Sequence, residues 1–167
     1  MSSWLYRSVR IGKGGKPIEV VKIRTLREGT DKSSSFAQGD QYLRFGRLLR
    51  KTKIDELSTL WNVLKGDLAL FGYRPEEERT FRILPPHVQG FLSSKKPGLV
   101  DLASLHFFDE EFLLQMSDEP AETYWKTVRP VKYAFQVFYH ENKCWLLDLA
   151  IAYIALKKVV RSFFKRT

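Results

Sequence analysis

The chain has 167 residues, 44% hydrophobic and 14% aromatic, enough for one sizeable core and too few for two comfortable domains. A single cysteine, Cys144, excludes an internal disulfide, and His87, His106 and His140 are too scattered to suggest zinc. The net charge of +9 is uneven: residues 1–75 carry +8, residues 76–140 carry −3 and residues 141–167 carry +4. Such asymmetry points to a polyanionic partner, whether nucleic acid, an anionic membrane surface or a phosphorylated substrate.

Met1-Ser2-Ser3-Trp4 opens without the apolar core of a signal peptide. Trp4 to Arg10 and Ile18 to Arg24 are rich in β-branched and aromatic residues. Gly12-Lys13-Gly14-Gly15-Lys16-Pro17 lies between them, which predicts a hairpin. Its glycines lack the Walker spacing, and a turn outweighs a phosphate loop. Arg27 to Asp40 reads as a polar surface loop and Gln41 to Arg50 as a helix, with Leu43, Gly46 and Leu48 or Leu49 inward and arginines outward.

Leu57, Leu60, Trp61 and Leu64 then recur at helical spacing, with Thr52 as the expected N-cap and Gly66 as the stop. Leu68 to Phe71 is a short strand, and Arg74-Pro75-Glu76-Glu77-Glu78 is the expected start of a helix. Ile83 to Ser93 reads as a helix broken by Pro85-Pro86, and Lys96-Pro97-Gly98 as a turn. Phe107 to Met116 and Glu119 to Asn142 read as helices, the second bent or restarted at Pro130. The last helix, Trp145 to Phe164, carries Leu146, Leu149, Tyr153, Leu156 and Val160 on one face. Asp148 and Lys157-Lys158 interrupt its apolar run, which suits a core or an interfacial helix rather than a membrane span. The expected fold class is α+β: a mostly helical single domain, residues 1–167, with an N-terminal β-hairpin and short strands.

Asp55 and Glu56 carry the functional argument. Acids in a first helical turn are ordinary, since each gains roughly 0.3–1 kcal/mol from the macrodipole. Their company is less ordinary: Arg50, Lys51 and Lys53 precede them, and Arg74 follows a strand that can return to the same edge. Neighbouring helical residues diverge by about 100°, so the two acids suit separate duties rather than one chelating pair. One carboxylate can hold Mg²⁺ on a diphosphate, because that ion takes one or two protein carboxylates and completes its shell with water and phosphate. The other can attack phosphorus.

Lys22-Ile23-Arg24-Thr25-Leu26 resembles the Lys-Phe-Arg-Thr-Met motif of the bacterial sugar transferases, monotopic enzymes that make polyprenyl-diphosphate-linked sugars. Phe45 to Thr52, Asp55-Glu56-Leu57, Asn62 to Asp67 and Gly72-Tyr73-Arg74-Pro75 follow in that family's order. Tyr139, Asn142 and Leu147-Asp148-Leu149 resemble its C-terminal block. The resemblance implies a phosphoglycosyl transferase in glycan biosynthesis. Asp55 would be the nucleophile that takes a phosphosugar from a UDP-sugar with release of UMP, and Glu56 the Mg²⁺ ligand. Lys22, Arg24, Arg74 and Pro75 would serve the substrate phosphates, with Asp148 in support. It also implies a polyprenyl phosphate acceptor, a seat on the cytoplasmic face of the inner membrane, peripheral or monotopic, and other glycan-assembly enzymes as partners.

The chain departs from the family in three places. Tyr73 replaces the first proline of Pro-Arg-Pro, Gln136 stands where an aspartate is usual, and Leu99 to Ser104 replaces a Thr-Gly-Trp-Ala-Gln-like segment. Only Met1 to Leu5 precedes the hairpin, so the expectation is a catalytic domain without the family's membrane-dipping segment. Lys157, Lys158, Arg161, Lys165 and Arg166, beside Trp145, Phe163 and Phe164, offer another contact with lipid. A non-catalytic homologue that binds a glycan-assembly complex is the alternative. No motif backs specific nucleic-acid binding.

Overall fold

The computed structural model describes residues 4–27 and 41–164, so nearly all of the predicted surface loop lies outside the described residues. The hairpin forms as expected. Strands β1 (Leu5–Ile11) and β2 (Pro17–Ile23) pair antiparallel, from Leu5 opposite Ile23 to Ile11 opposite Pro17. A 3-10 turn at Lys13–Gly15 joins them, and Gly14 and Gly15 both adopt φ of 72°, which glycine reaches without strain.

Helix α1 (Gly46–Lys51) begins five residues later than predicted. Residues 41–43 are spent on pairing instead: Leu26 and Tyr42 form a bridge, and the Leu43 N–H donates to Thr25 O at 2.9 Å. A Cβ on Gly46 would stand 2.0 Å from that same carbonyl, so only glycine permits the approach. Of the residues expected inward, Gly46 is buried, but Leu43 and Leu48 are exposed.

Thr52 does not start the next helix. Its hydroxyl donates to Leu48 O (2.8 Å) and Leu49 O (3.2 Å), closing α1, and the chain reverses at Lys53 in the left-handed region (φ 59°). A 3-10 turn, Ile54–Thr59, then runs into the short α2 (Leu60–Leu64), which ends at Gly66 with φ of 83°.

The apolar stripe of this segment turns outward: Leu57, Leu60, Trp61 and Leu64 are all exposed, while Asp55, Thr59 and Asn62 are buried. The reason lies in β2, an edge strand whose carbonyls need donors. Ser58 Oγ donates to Val21 O at 2.7 Å, and Asn62 Nδ2 donates to Glu19 O at 2.7 Å. The polar face therefore binds the sheet edge.

Strand β3 (Ala69–Phe71) pairs parallel with β4 (Gly98–Val100), so the predicted turn at Lys96-Pro97-Gly98 leads straight into a strand that the sequence reading omits. A Cβ on Gly98 would lie 2.2 Å from the Gly72 nitrogen, and the two backbones touch because both residues are glycine. Residues 74–77 are not helical as predicted. They run along β1, with the Ile11 N–H donating to Glu76 O (2.9 Å) and Arg10 bridging Glu77; α3 (Glu78–Ile83) starts only afterwards.

Pro86 opens α4 (Pro86–Ser94), so the Pro85-Pro86 break falls between α3 and α4. Helix α5 (Leu102–His106) arises in the divergent segment, where none was predicted. Helices α6 (Glu110–Gln115) and α7 (Pro120–Thr123) follow. A π turn at Tyr124–Val128 then precedes α8 (Arg129–Glu141). The interruption expected at Pro130 takes that form because proline lacks the N–H and its ring displaces the carbonyl four residues back. Helix α9 spans Trp145–Phe164, as predicted.

One core cluster joins Tyr73, Leu84, Val88 and Leu92; another joins Leu105, Tyr139 and Ile151, with Phe71 and Val100 from the small sheet packed against it. Helices dominate and the two small sheets stand apart, an α+β arrangement. Helix α9 buries Ile151 and Ser162 but exposes Trp145, Leu149, Tyr153, Leu156, Val160 and Phe163 along another face. Among the described residues no helix is long and apolar enough to cross a membrane.

Candidate active site

The site forms where β2, the 3-10 turn and the segment after β3 meet. β2 contributes Lys22, the turn contributes Asp55 and Glu56, and the Gly72–Pro75 segment contributes Arg74. In a 3-10 turn of three residues per turn, adjacent side chains diverge by about 120°, slightly more than the predicted α-helical angle. Glu56 points into a cleft also lined by Arg10, Lys22, Arg74, Pro75 and Leu99.

Three bonds engage the Glu56 carboxylate. Arg74 Nη2 donates to Oε1 at 2.6 Å, Arg74 Nη1 to Oε2 at 3.1 Å, and Lys22 Nζ to Oε1 at 3.0 Å. Burial pushes the Glu56 pKa upward, but Arg74 and Lys22 overcome it and hold the acid well below its ordinary value. The reciprocal attraction raises Arg74 above the normal arginine range. Lys22 is the weaker cation of the two: burial and the Arg74 charge bring it down to about 8.

Asp55 is held differently. It is 7% exposed, and its Oδ1 is buried with no hydrogen-bond partner among the described residues. Burial and the neighbouring Glu56 charge raise its pKa, against the pull of Lys22, Lys53 and Arg50. The two acids thus differ sharply: Glu56 is satisfied and firmly ionised, whereas Asp55 is desolvated and keeps an oxygen in reserve.

The fit to Mg²⁺ follows from the donor set. No group of three or more His, Cys, Asp or Glu that could hold a metal occurs among the described residues. A hard cation carried on phosphates needs only one or two carboxylates. A carboxylate offers about four lone-pair sites; Arg74 and Lys22 occupy three on Glu56, and Asp55 Oδ1 has no hydrogen-bond partner among the described residues. The residues fit such an ion.

The other predicted residues fall at varying distances from this cluster. Pro75 is buried at the cleft wall, and its carbonyl accepts from Arg10 Nη1 at 3.5 Å. Arg24 lies one residue beyond β2, with its backbone N–H on Trp4 O at 2.8 Å. Asp148 sits in the first turn of α9 and accepts from the Tyr139 hydroxyl at 2.8 Å. Among the described residues no hydrogen bond or ion pair joins it to Asp55 or Glu56. Arg74 does not pair with Glu77 or Glu78, which bind Arg10 (2.8 Å) and Arg82 (2.5 Å).

Two contributors escaped the sequence reading. Arg10 lines the cleft and clamps Glu77, but a lone arginine in a strand gives no local signal of a partner 67 residues away. Asp101 caps α5, accepting from the Ala103 N–H at 3.1 Å and Ser104 Oγ at 3.0 Å. Its Asp-x-x-Ser spacing ahead of an apolar run was a readable N-cap signal.

Comparison with known proteins shows which family this domain belongs to. The sequence profile of the Bacterial sugar transferase family matches residues 1–162, and the chain belongs to that family. It is 33% identical over 160 residues to the uncharacterized sugar transferase EpsL of Bacillus subtilis (strain 168), a match covering 94% of this chain and 70% of EpsL. It is 35% identical over 108 residues to a UDP-glucose:undecaprenyl-phosphate glucose-1-phosphate transferase of Caulobacter vibrioides, covering 60% of this chain and 40% of that protein. A Klebsiella pneumoniae protein of the same name is 36% identical over 110 residues, covering 61% of this chain and 23% of its own length. The chain therefore spans well under two thirds of these last two relatives.

Proposed function

We propose that this protein is a phosphoglycosyl transferase that moves a sugar-1-phosphate from a UDP-sugar to a polyprenyl phosphate. The observation that carries the reading is the contrast within one acid pair: a desolvated Asp55 with an unpartnered oxygen beside a Glu56 locked by Arg74 and Lys22. The names of the relatives, which act between UDP-sugars and undecaprenyl phosphate, support it.

In the first step an Asp55 carboxylate oxygen bonds to the sugar-linked phosphorus. The bond from that phosphorus to the bridging oxygen breaks, and UMP leaves with the electron pair. In the second step a phosphate oxygen of the polyprenyl acceptor attacks the same phosphorus and releases the Asp55 carboxylate unchanged. Splitting the transfer in two gives each step a nucleophile already in place. Arg74 and Lys22 each carry more N–H groups than the Glu56 carboxylate takes up, and those left over can donate to the substrate phosphates. Mg²⁺, held by Glu56 and substrate phosphates, would neutralise charge on the departing diphosphate oxygen.

The acceptor is a lipid, and α9 supports a seat on a membrane surface. Its exposed apolar stripe runs along a helix of 20 residues, roughly 30 Å at 1.5 Å per residue, with Lys157 and Arg161 exposed as well. An apolar face with adjacent cations suits the boundary of an anionic bilayer.

The test is incubation of the protein with UDP-sugars, Mg²⁺ and polyprenyl phosphate. UMP should appear, and mass spectrometry should find a phosphosugar adduct on Asp55. UMP release at equal rates by Asp55→Asn would remove the nucleophile assignment.

A further inference from the structure

Residues 73–76, which include Arg74, belong to no helix or strand, so their place is set by what they touch. One hold comes from β1: the Ile11 N–H donates to Glu76 O at 2.9 Å, Arg10 Nη1 donates to Pro75 O at 3.5 Å, and Arg10 Nη2 pairs with Glu77 at 2.8 Å. A second comes from Arg129, the first residue of α8. Its Nη1 donates to the Glu76 carboxylate at 2.5 Å across 53 residues of sequence, and the two side chains are 7% and 14% exposed.

Stability alone does not call for this pair. Two buried charges lose hydration that their attraction only partly restores, and apolar residues of similar size often serve a fold as well. The Arg129 Nε is also buried without a hydrogen-bond partner among the described residues, which is a further cost. What the pair supplies is direction. Its arginine is fixed at the root, because Val128 before it is 1% exposed and Pro130 after it restricts the backbone. Its glutamate lies two residues from Arg74, whose guanidinium meets Glu56 at 2.6 and 3.1 Å. Helix α8 is thereby tied to the acid pair through one short piece of chain.

We propose that Arg129 is a positioning residue: acting through Glu76, it fixes the segment after β3 so that the Arg74 guanidinium meets Glu56 and the donor phosphates. The part that concerns the phosphates rests on the phosphoglycosyl transferase reading; the part that concerns Glu56 does not.

The experiment compares the parent with Glu76→Leu/Arg129→Met, which removes both charges and keeps apolar bulk, and which should melt within a few degrees of the parent. Arg129→Lys keeps a cation beside Glu76 without the planar fork, and it takes the place of the double variant if that one does not fold. The first readout is the Arg74 Nε–H signal in ¹⁵N NMR, identified by its loss in Arg74→Lys. It should shift or broaden in the variant, which a pair that only stabilises the fold would not cause. An unmoved Arg74 signal overturns the proposal. The second readout is turnover: kcat/KM for the UDP-sugar should fall about tenfold or more, the scale of a misplaced phosphate clamp. Full turnover overturns the proposal as well. If the unaltered protein releases no UMP with any donor, the functional reading fails, and the Arg74 signal still decides whether Arg129 holds that residue in place.

Discussion

Arg74 grips Glu56 with both terminal nitrogens, at 2.6 and 3.1 Å, across a gap of 18 residues that contains α2 and β3. That fork occupies both oxygens of one acid and leaves the adjacent Asp55 to itself. The two acids consequently sit in different electrostatic states, Glu56 lowered and Asp55 raised.

Glu56→Gln should therefore destabilise the fold. The change leaves Arg74 and Lys22 facing a neutral amide in a partly buried site, and hydrogen bonds to charged groups contribute about 1.5–3 kcal/mol. The Arg74 side chain is 37% exposed, so solvent screening puts the expected loss nearer the lower end. Urea unfolding would measure it; an unchanged midpoint would show that the ion pair contributes nothing.

Asp55→Asn should separate activity from stability. If Asp55 is the nucleophile proposed above, transfer should be lost, whereas the fold should keep or gain stability, because burial makes the Asp55 charge unfavourable. UMP release and Tm, measured together, check this. A large drop in Tm would mean that Asp55 is a structural acid.

The pH profile should be bell-shaped. As the proposed nucleophile Asp55 would attack only when ionised, and its pKa is raised, so the acid limb should lie above the ordinary aspartate value of 3.8. Lys22, at about 8, loses its charge as pH rises, which places the alkaline limb there. The stability signs differ. With its folded pKa raised, Asp55 contributes stability at low pH that is lost as pH climbs through that value. With its folded pKa lowered, Lys22 contributes stability present above its unfolded pKa of 10.5 and lost as pH falls through about 8. An alkaline limb that stays in place in Lys22→Arg would contradict the assignment.

Replacing both Lys157 and Arg161 by glutamine should weaken binding to phosphatidylserine-containing vesicles. At about 1 kcal/mol per basic residue near an anionic surface, the pair is worth roughly 30-fold. Leu149→Glu with Leu156→Glu should weaken binding to neutral vesicles too. Co-sedimentation that ignores all four changes would take α9 off the membrane.

Much of the local structure was legible because its causes are local. Gly-rich spacing between β-prone runs announced the hairpin, Pro130 announced the break before α8, and α9 kept its predicted bounds. Asp55 and Glu56 stood out through their cationic neighbours and motif order. Where the reading failed, the cause was a partner distant in sequence. Thr25 and Leu26 took residues 42 and 43 from a predicted helix, and β1 drew residues 76 and 77 out of another. The carbonyls of β2 turned the polar side of residues 54–64 inward, leaving the Leu57–Leu64 stripe exposed.

By itself, then, the sequence determined the residue types of the site and the class of chemistry they suit, since charge, capping and turn preferences act over a few residues. Only the tertiary structure decided which acid is satisfied and which is left desolvated. Those states depend on Lys22 and Arg74, which arrive from β2 and from the segment after β3. Desolvation and ion pairing are set by proximity in space, and hydrophobic periodicity along the chain carries no record of it.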